Sequence, residues 1–203
     1  MFNINNFRQE INNHGVMKNN RYIVSFNPPK TLANERTDTL SLRCTNVQLP
    51  GVTFSTIDGP PRIGYGPIES NPYGVIFDDI NLTFLLDAEA KLHRFFYDWS
   101  NSIVNYQSHG QTALKDALGP VSGMKSFEVG YKDDYCTDII ITVYNGQTYD
   151  SGISEKPILE YHAYRAFPKT LPQYEMAWEN TNDVVKLPVS FAYTDFSVKY
   201  SNF

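Results

Sequence analysis

Residues 187–194 read LPVSFAYT and alternate between large apolar side chains and small or polar ones. A two-residue period of this kind is typical of a β-strand with one apolar face and one wetter face. Pro188 lacks a backbone N–H, so we expect the strand to begin there, to lie at a sheet edge, or to turn that nitrogen away from a neighbour. An exposed edge invites pairing with another chain. The stretch predicts a sheet surface and carries no chemical motif. Its apolar positions are Leu187, Val189, Phe191 and Tyr193.

Further runs along the chain have the composition and alternation of strands. They are residues 21–27, 39–48, 80–86, 138–144 and 158–167, with shorter candidates at 125–131 and 174–178, and the run that begins at Leu187 continues to Lys199. Pro28-Pro29 ends the first run, because proline fixes φ and donates no backbone hydrogen bond. Asn145-Gly146 follows residues 138–144, and this dipeptide is typical of two-residue hairpin turns. The pattern predicts a mainly β domain.

One helix is predicted directly after the run 80–86. Its apolar positions recur at i, i+3, i+4, i+7 and i+11, which is the stripe of a helix with one buried face. Asp87 can cap this helix, and Glu89 suits the positive end of the helix dipole. Arg94 and Asp98 are spaced as a modest surface pair. We therefore expect the helix to pack on the sheet. The apolar positions are Leu92, Phe95, Phe96, Trp99 and Ile103.

The first 20 residues form a separate N-terminal segment that contains seven asparagines. It has no apolar core of the kind found in secretory signals. Ile4, Phe7 and Ile11 recur at helical spacing and predict a short helix that Gly15 could close.

Residues 50–79 form a long connection between two predicted strands and contain ten of the 24 glycines and prolines of the chain. Connections of this length are usually functional or disordered, and the apolar content of this one argues against disorder. Two interpretations remain, a protruding arm that contacts an adjacent subunit and a loop folded over its own core. The side chains proposed for a subunit interface are Val52, Phe54, Ile57, Ile63, Tyr65, Ile68 and Tyr73.

The length and composition of the chain limit the functions that it can have. The length of 203 residues suffices for one substantial core, so we expect a single domain over residues 1–203. The net charge of −5 disfavours a protein that grips nucleic-acid phosphates. Aromatic residues make up 14% of the chain and charged residues only 19%, a composition that suits large subunit interfaces. No stretch approaches the roughly 18 consecutive apolar residues of a membrane span, so no membrane partner is predicted.

No residue pattern indicates an active site, a cofactor or a metal. The four histidines share no local spacing with a cysteine or a carboxylate that would suggest a metal cluster. Cys44 and Cys136 are too few for a disulfide framework, which favours a reducing compartment. Asp78-Asp79 and Asp133-Asp134 favour turns or strand ends over paired catalytic carboxylates. Gly64-Tyr65-Gly66 lacks the following helix that a dinucleotide fingerprint requires. The sequence therefore favours a structural or interaction role over an enzyme.

Several segments, taken in order, resemble the tail tube proteins of contractile-tailed bacteriophages. They are YIVSF at 22–26, CTNVQLPG at 44–51, FDDINLTF at 77–84, FYDW at 96–99, WEN at 178–180 and LPVSFAY at 187–193. Each motif is weak alone, but their order over most of the chain makes the match more specific. The resemblance implies a small β-barrel or sandwich with one packed helix and a long protruding hairpin arm.

The resemblance also implies a structural virion protein of the viral tail. Its strands would join those of neighbours into hexameric rings, and the rings would stack into the inner tail tube that conducts DNA into the host. The implied partners are other copies of the chain, the tail sheath protein, the baseplate and tape-measure proteins, and passing DNA that is not bound specifically. Assembly would take place in the host cytoplasm. Acidic residues facing the lumen would repel phosphates, and the candidates are Glu160, Asp183 and Asp195.

Alternatives remain open at this stage. Candidate insertions at residues 28–38, 60–72 and 109–124 fit either a decorated tube protein or a baseplate-proximal protein of the same fold that initiates the tube. A tube protein of a non-viral contractile injection system is a further alternative. From another class, a hydrolase or sugar-binding β-protein could use Tyr65, Tyr73 or Trp178 as an aromatic platform. Aromatic residues at strand spacing are usually core or interface residues, which disfavours this last alternative.

Overall fold

The computed structural model describes residues 3–14, 17–32, 43–59, 69–106, 128–144, 157–178 and 184–201. The helices in these ranges are α1 (Ile4–His14), α2 (Lys91–Ile103) and α3 (Lys132–Tyr135), and a 3₁₀ turn covers Lys30–Leu32. The strands are β1 (Tyr22–Phe26), β2 (Cys44–Gln48), β3 (Val52–Asp58), β4 (Ser70–Phe77), β5 (Ile80–Leu85), β6 (Thr137–Tyr144), β7 (Pro157–Thr170), β8 (Lys186–Ala192) and β9 (Asp195–Tyr200). The chain is mainly β with one long packed helix, as the sequence predicts.

Seven strands form one antiparallel sheet in the order β1-β6-β7-β8-β5-β2, with β9 added beside β7. The long strand β7 divides this sheet into two halves. Its residues 159–163 pair with β6 on one side, residues 159–164 pair with β9 on the other, and residues 167–170 pair with β8. We call the half formed by β1, β6, the first part of β7 and β9 sheet A. The half formed by the last part of β7, β8, β5 and β2 is sheet B.

The core is built from alternate residues of both sheets. In sheet B, β5 and β8 place three pairs in register, and all six side chains are at most 1% exposed. Sheet A adds buried side chains from β1 and β6, so both sheets share one apolar interior. The predicted alternation of residues 187–191 is confirmed. The sheet B pairs are Ile80 with Phe191, Leu82 with Val189, and Phe84 with Leu187; the sheet A residues are Val24, Phe26, Ile139 and Ile141.

α2 packs against both sheets through its aromatic stripe. The ring of Phe96 lies 5.1 Å from that of Phe84 in sheet B, and the ring of Trp99 lies 6.0 Å from that of Phe26 in sheet A. The Trp99 indole is fully buried and donates a hydrogen bond of 2.7 Å to the Tyr135 carbonyl of α3. Burying the indole therefore leaves no orphaned donor, and the helix connects α3 with the two sheets.

The start of α2 is capped by a side chain four residues before Lys91. The Asp87 carboxylate accepts hydrogen bonds from the backbone N–H groups of Lys91 at 3.0 Å and Leu92 at 2.9 Å. These are orphan donors of the first helical turn, so the predicted capping role of Asp87 is confirmed. Ala90, between Asp87 and the helix, adopts a left-handed conformation with φ of 54°. That residue turns the chain so that the Asp87 side chain reaches the helix end.

Several strand predictions need correction. Residues 174–178 form no strand; instead the Tyr174 ring packs edge-on against His93 of α2, 5.8 Å between ring centres. Within 125–131, the described part contains only an isolated bridge between Val129 and Val104, because the chain turns into α3 directly afterwards. β8 is not an edge strand, since it lies between β7 and β5. Pro188 is nevertheless tolerated in this strand. The pairing of β8 with β7 extends only to Ser190, so Pro188 has a neighbour in the pairing register on the β5 side alone.

Some predicted features lie outside the described residues. They are the first part of the predicted strand 39–48, the Asn145-Gly146 turn with its short return strand, Gly15, and most of the candidate insertions at residues 28–38, 60–72 and 109–124.

Replacing the cap should destabilise the protein in a pH-dependent way. Desolvation raises the pKa of Asp87, but the hydrogen bonds from Leu92 and Lys91 outweigh it and lower the pKa below its ordinary value. A carboxyl group with a depressed folded-state pKa stabilises the protein above the unfolded pKa of about 3.9, and this contribution is lost as the pH falls through the folded-state pKa. Asp87→Ala should therefore lower the free energy of unfolding by about 1 kcal/mol at pH 7 and by less near pH 3.

Urea denaturation of wild type and variant at both pH values measures this difference. Glu89→Ala is the matched control, because Glu89 precedes the same helix and leaves the Asp87 cap in place; its effect should stay within about 0.5 kcal/mol. An equal loss for Asp87→Ala at both pH values would contradict the capping assignment.

Candidate functional site: assembly surfaces

β3 and β4 form a hairpin that exposes apolar side chains on both faces. Adjacent residues of a strand point to opposite faces, and the adjacent pair Val75 and Ile76 are each 53% exposed. An isolated two-stranded sheet is marginally stable in water, and an exposed apolar patch marks an interaction surface. The hairpin is therefore a protruding arm, and not a loop folded over its own core. The exposed arm residues named from the sequence are Val52, Phe54, Ile57 and Tyr73; Ile63, Tyr65 and Ile68 lie outside the described residues.

A bulge in the arm directs one tyrosine outward. The pairing of β3 with β4 moves from Ser55 opposite Gly74 to Thr56 opposite Pro72, which leaves Tyr73 as the extra residue. Bulges bend a strand and re-aim the side chain at the bulge, and Tyr73 is the most exposed large apolar side chain among the described arm residues, at 73%. Tyrosine at an exposed position can bury its ring in a partner and keep its hydroxyl hydrogen-bonded.

An aromatic cluster fixes the root of the arm. The Phe77 ring stacks on Tyr193 at 6.1 Å and meets the edge of Phe196 at 5.4 Å. The Tyr193 hydroxyl donates a hydrogen bond of 2.9 Å to the Asp78 carbonyl, at the turn between the arm and β5. Burial raises the pKa of Tyr193, and the charges of Asp78 and Asp79 raise it further, so the phenol stays protonated as the donor. The arm thus has a defined attachment to β9.

Gly51 lies on the other side of this root and allows close approach of the chain. A Cβ atom at this position would lie 2.6 Å from the Asp78 carboxylate, inside contact distance. The Asp78 N–H donates to the Gly51 carbonyl at 3.2 Å, which closes the base of the hairpin. Leu-Pro-Gly at 49–51 is therefore the point at which the arm leaves sheet B.

Several strands present edges. Within the described ranges, β1 pairs only with β6, β2 only with β5, and β9 only with β7. An unpaired edge offers a row of N–H and C=O groups to a further strand. β1 and β2 approach each other across the open side of the fold, where the Tyr22 hydroxyl donates to the Cys44 carbonyl at 3.5 Å. The edges that could receive another chain thus include β1, β2, β9, the arm strands and the last part of β7, and not β8 as residues 187–194 first indicate.

The outer face of sheet A carries titratable side chains. Glu160 and His162 lie on the face of β7 opposite the core residue Ala163, with 3.4 Å between the carboxylate and the imidazole Nε2. Lys199 of β9 stands opposite Glu160 in the pairing register. The candidate lumen residues Glu160 and Asp195 both belong to sheet A, whereas Asp183 lies outside the described residues. Acidic and basic groups thus lie side by side on this face.

The outer face of sheet B has a different chemistry. Ser190 donates a hydrogen bond to the Asn81 side-chain carbonyl, and the Asn81 amide donates to the Gln48 side chain at 2.8 Å. This ladder of uncharged groups crosses β8, β5 and β2. An ion pair lies near this ladder, where the Lys169 ammonium donates a hydrogen bond of 2.7 Å to the Asp79 carboxylate. The middle of this face is polar but uncharged.

The remaining candidate side chains show no arrangement for catalysis. His93 stacks on Tyr97, 4.3 Å between ring centres, which is a packing role. Burial raises the pKa of the Cys44 thiol to about 11, so it stays protonated and is a poor nucleophile. Burial likewise raises the pKa of Asp98 although Arg94 lowers it, so this pair is less exposed than its spacing suggests. No group of three or more metal-ligating side chains occurs in the described part of the chain.

Sequence reasoning missed the root cluster and did not locate the sheet edges. Residues 187–194 place Tyr193 on the inward face of a continuous strand, but β8 ends at Ala192 and Tyr193 turns toward the arm. The signal that could have located this break is Asp195, since aspartate is depleted in strands and favoured in turns. The edges depend on long-range pairing, for which the local pattern carries no signal.

Two apolar-cored half-sheets, a helix that packs on both of them, free edges and an apolar arm define a structural subunit made for association with other chains. Residues 17–199 match the phage tail tube protein family, and the chain belongs to that family. The resemblance seen in the sequence motifs is thereby confirmed. The family is one of structural tube proteins and not of enzymes.

Solved structures of contractile injection systems share the fold. A chain of the anti-feeding prophage baseplate superposes with a TM-score of 0.57 at 10% identity, covering 91% of this chain and 96% of that chain. A chain of the anti-feeding prophage tube-terminating cap gives 0.56 at 16% identity, covering 92% of each. A chain of an extracellular contractile injection system, from the PVC sheath-tube complex in the extended state, gives 0.55 at 18% identity, covering 95% and 97%. At these identities the likeness establishes the fold alone.

No curated protein matches the chain in sequence. Among the described residues, no helix has the length and apolar character needed to cross a membrane.

Removing the Tyr193 hydroxyl should weaken the arm root without exposing the core. Tyr193→Phe deletes the donor to the Asp78 carbonyl and should cost about 1 kcal/mol in urea denaturation of the monomer. Tyr193→Ala also removes the ring contacts with Phe77 and Phe196, so its cost should be larger. Tyr200→Phe, on the exposed part of β9, is the control and should stay within about 0.5 kcal/mol. Equal stability of Tyr193→Phe and wild type would show that this hydrogen bond does not hold the root.

Proposed function

We propose that the chain is a structural virion protein that assembles into hexameric rings, and that the rings stack into the inner tail tube. The tube is a conduit for DNA ejection into the host. The observation that carries the proposal is the arm, a hairpin with exposed apolar side chains on both faces, held at a fixed root beside free sheet edges. Within a single subunit these surfaces are unfavourable, and copies of the same subunit can cover all of them.

Ring formation would use the edges. Pairing of one subunit's edge with an edge of the next satisfies backbone donors and acceptors that otherwise face water. A head-to-tail contact between different surfaces closes into a ring if the rotation between subunits closes. Membership in the tail tube family supports this arrangement. Six copies is the number implied by the family resemblance, and the baseplate that contains a chain of similar fold is described as 6-fold symmetrised.

Stacking would use the arm. Full burial of a large apolar side chain stabilises an association by about 1.5–3 kcal/mol. Phe54, Ile57 and Tyr73 are each more than 60% exposed, so most of that free energy is still available in the monomer. Each ring would contribute one arm per subunit. Several arms acting together make the contact between rings much stronger than a single arm would.

Polar replacements on the arm should separate folding from assembly. Phe54→Ser combined with Ile57→Ser should leave the melting temperature of the monomer nearly unchanged, because both side chains are already exposed, and should prevent stacking. Negative-stain electron microscopy and sedimentation of the purified protein measure this. The control is Thr53→Ser with Thr56→Ser on the same strand, which keeps the apolar surface. Tubes of normal length from the Phe54 and Ile57 variant would refute a stacking role for the arm.

The lumen would have to let DNA slide. The net charge of −5 per subunit, repeated around a ring, opposes adsorption of phosphates. Glu160 and Asp195 remain the proposed lumen residues, together with Asp183. In this proposal DNA passes without specific binding.

Charge reversal of the proposed lumen residues should make assembled tubes bind DNA. Tubes that carry Glu160→Lys and Asp195→Lys should retain DNA at low salt and release it at high salt, since phosphate binding by lysine is strongly salt-dependent. Co-sedimentation of DNA with assembled tubes is the measurement. Glu89→Lys, a change of the same charge before α2, is the control for charge alone. If tubes with lysine at 160 and 195 hold no more DNA than wild type does, these residues do not line the channel.

Other partners follow from a tube placed in a contractile tail. We propose contacts with the tail sheath protein outside the tube, with the baseplate at one end, and with the tape-measure protein during assembly. The structure that shares this fold at a TM-score of 0.55 comes from a sheath-tube complex, which supports a sheath partner. The role is structural and without catalysis, the place of assembly is the host cytoplasm, and the final location is the virion tail.

A second candidate is a baseplate-proximal initiator of the same fold, or a tube protein of a non-viral injection system. It is favoured by the nearly equal similarity to chains from a baseplate, a cap and a sheath-tube complex, with TM-scores of 0.57, 0.56 and 0.55. Electron microscopy of the purified protein, alone and with baseplate extract, separates the candidates. Spontaneous tubes support the tube subunit, whereas single rings that elongate only on baseplates support the initiator.

A further inference from the structure

β7 contains a strained residue at the point where it passes from sheet A to sheet B. The pairing with β6 moves from Ile139 opposite Ala163 to Thr137 opposite Ala166, so β7 holds one extra residue there. Within this bulge, Arg165 has a φ of 54°. Bulges of this kind usually place glycine in the left-handed region, and a residue with a Cβ atom is strained there. Strain of this sort persists only where the surroundings hold it in place.

Two aspartates hold Arg165 in this conformation. The Asp138 carboxylate accepts the Arg165 backbone N–H at 2.9 Å, and the Arg165 guanidinium binds the Asp133 carboxylate of α3. A glycine would adopt the same φ without strain, but it would provide no link to α3. The arginine therefore contributes a side-chain tether that the backbone geometry alone does not require.

α3 also holds the break in the facing strand. Lys132 donates a hydrogen bond of 3.0 Å to the Thr194 hydroxyl, between β8 and β9. The Thr194 N–H donates to the Tyr164 carbonyl at 3.0 Å, directly before Arg165. The bulge in β7 and the interruption between β8 and β9 thus lie opposite each other, and the single-turn helix α3 contacts both. α3 in turn receives the buried Trp99 hydrogen bond from α2.

The residue next to this joint is the one that holds the arm. Tyr193 precedes Thr194 and contacts Phe77 and the Asp78 carbonyl at the arm root. The arm itself continues from β2 and β5 of sheet B, whereas Phe196 of the root cluster belongs to β9 of sheet A. The direction of the arm relative to the subunit body therefore depends on the angle between the two sheets.

We propose that Arg165 is a positioning residue for the arm. Its ion pair with Asp133 clamps α3 over the joint between sheets A and B, and this clamp fixes the arm direction through Thr194 and Tyr193. The consequence for assembly rests on the proposed function of the arm as the stacking surface. The arm direction itself is a property of the single subunit, so it can be tested whether or not the protein forms tubes.

Distances between spin labels on the monomer test the positioning directly. Labels at Thr56→Cys in the arm and Ser25→Cys in sheet A, in a background with Cys44→Ala and Cys136→Ala, report the arm direction by pulsed electron paramagnetic resonance. The labelled parent should give one narrow distance distribution. Adding Arg165→Gly or Asp133→Asn should shift or broaden it. Glu89→Gln, which removes an exposed ion pair with Lys91 away from the joint, should leave it unchanged.

Thermal melting distinguishes loss of positioning from loss of folding. Arg165→Gly relieves the backbone strain and Arg165→Ala keeps it, so the glycine variant should melt about 3 °C above the alanine variant. If Arg165 only stabilised the fold, the distance distribution would widen in proportion to the loss of stability. A widened distribution in the more stable glycine variant would therefore identify a positioning role. The swap of Asp133→Arg with Arg165→Asp restores the ion pair, and aspartate tolerates the left-handed region. The swap should restore the narrow distribution.

Assembly gives the functional readout. Where wild type forms tubes, Arg165→Gly should raise the critical concentration for assembly roughly tenfold, because each arm then has to be ordered on docking, and the swap should restore it. Failure of wild type to assemble would overturn the proposed function while leaving the spin-label result to decide this inference. An unchanged distance distribution in both Arg165→Gly and Asp133→Asn would overturn the inference itself, even if tubes form normally.

Discussion

A single strand shared by two sheets sets the geometry of this subunit. β7 pairs with β6 and β9 along its first part and with β8 along its last part, so any change at its bend alters the relation of the two sheets. Backbone hydrogen bonds of a sheet extend only in the plane of that sheet, which leaves the angle at the bend to side chains. α2 supplies these contacts from inside, with Trp99 against Phe26 and Phe96 against Phe84. α3 supplies them from outside, at Arg165 and Thr194.

Apolar side chains divide between the core and the arm according to the size of the fold. The core is filled by alternate residues of both sheets and by one helix face, and protein interiors are packed too densely to accept more. The apolar residues of β3 and β4 are not part of this core and remain exposed to water. Their exposure is unfavourable for a lone subunit, and in the proposed assembly their burial would supply free energy for association. Solubility of the monomer and strength of the assembly therefore depend on the same side chains.

The sequence was sufficient where a structural feature repeats with a local period. α2 and the inward residues of β5 and β8 follow from periods of 3.6 and 2. The length and apolar content of residues 50–79 indicate an ordered segment, but they leave an arm and a folded-back loop as equal alternatives. Features that depend on pairing between distant strands were missed. Nothing beside Arg165 in the sequence indicates a left-handed residue, since glycine is the usual signal and arginine is rare there. Tyr193 fits the strand alternation that it in fact interrupts.

The outer faces of sheets A and B differ in chemistry, but on both of them the named cations have anionic neighbours. Phosphates bind where several cations are left without anionic neighbours. On sheet A, Lys199 stands opposite Glu160, and Arg165 is bound to Asp133. The middle of sheet B presents the uncharged ladder of Gln48, Asn81 and Ser190, and the nearby Lys169 is bound to Asp79. In each of these cases the cation already has an anionic neighbour. For the proposed tube, the pairing of these named cations with anions predicts weak binding of DNA phosphates without a strongly acidic wall.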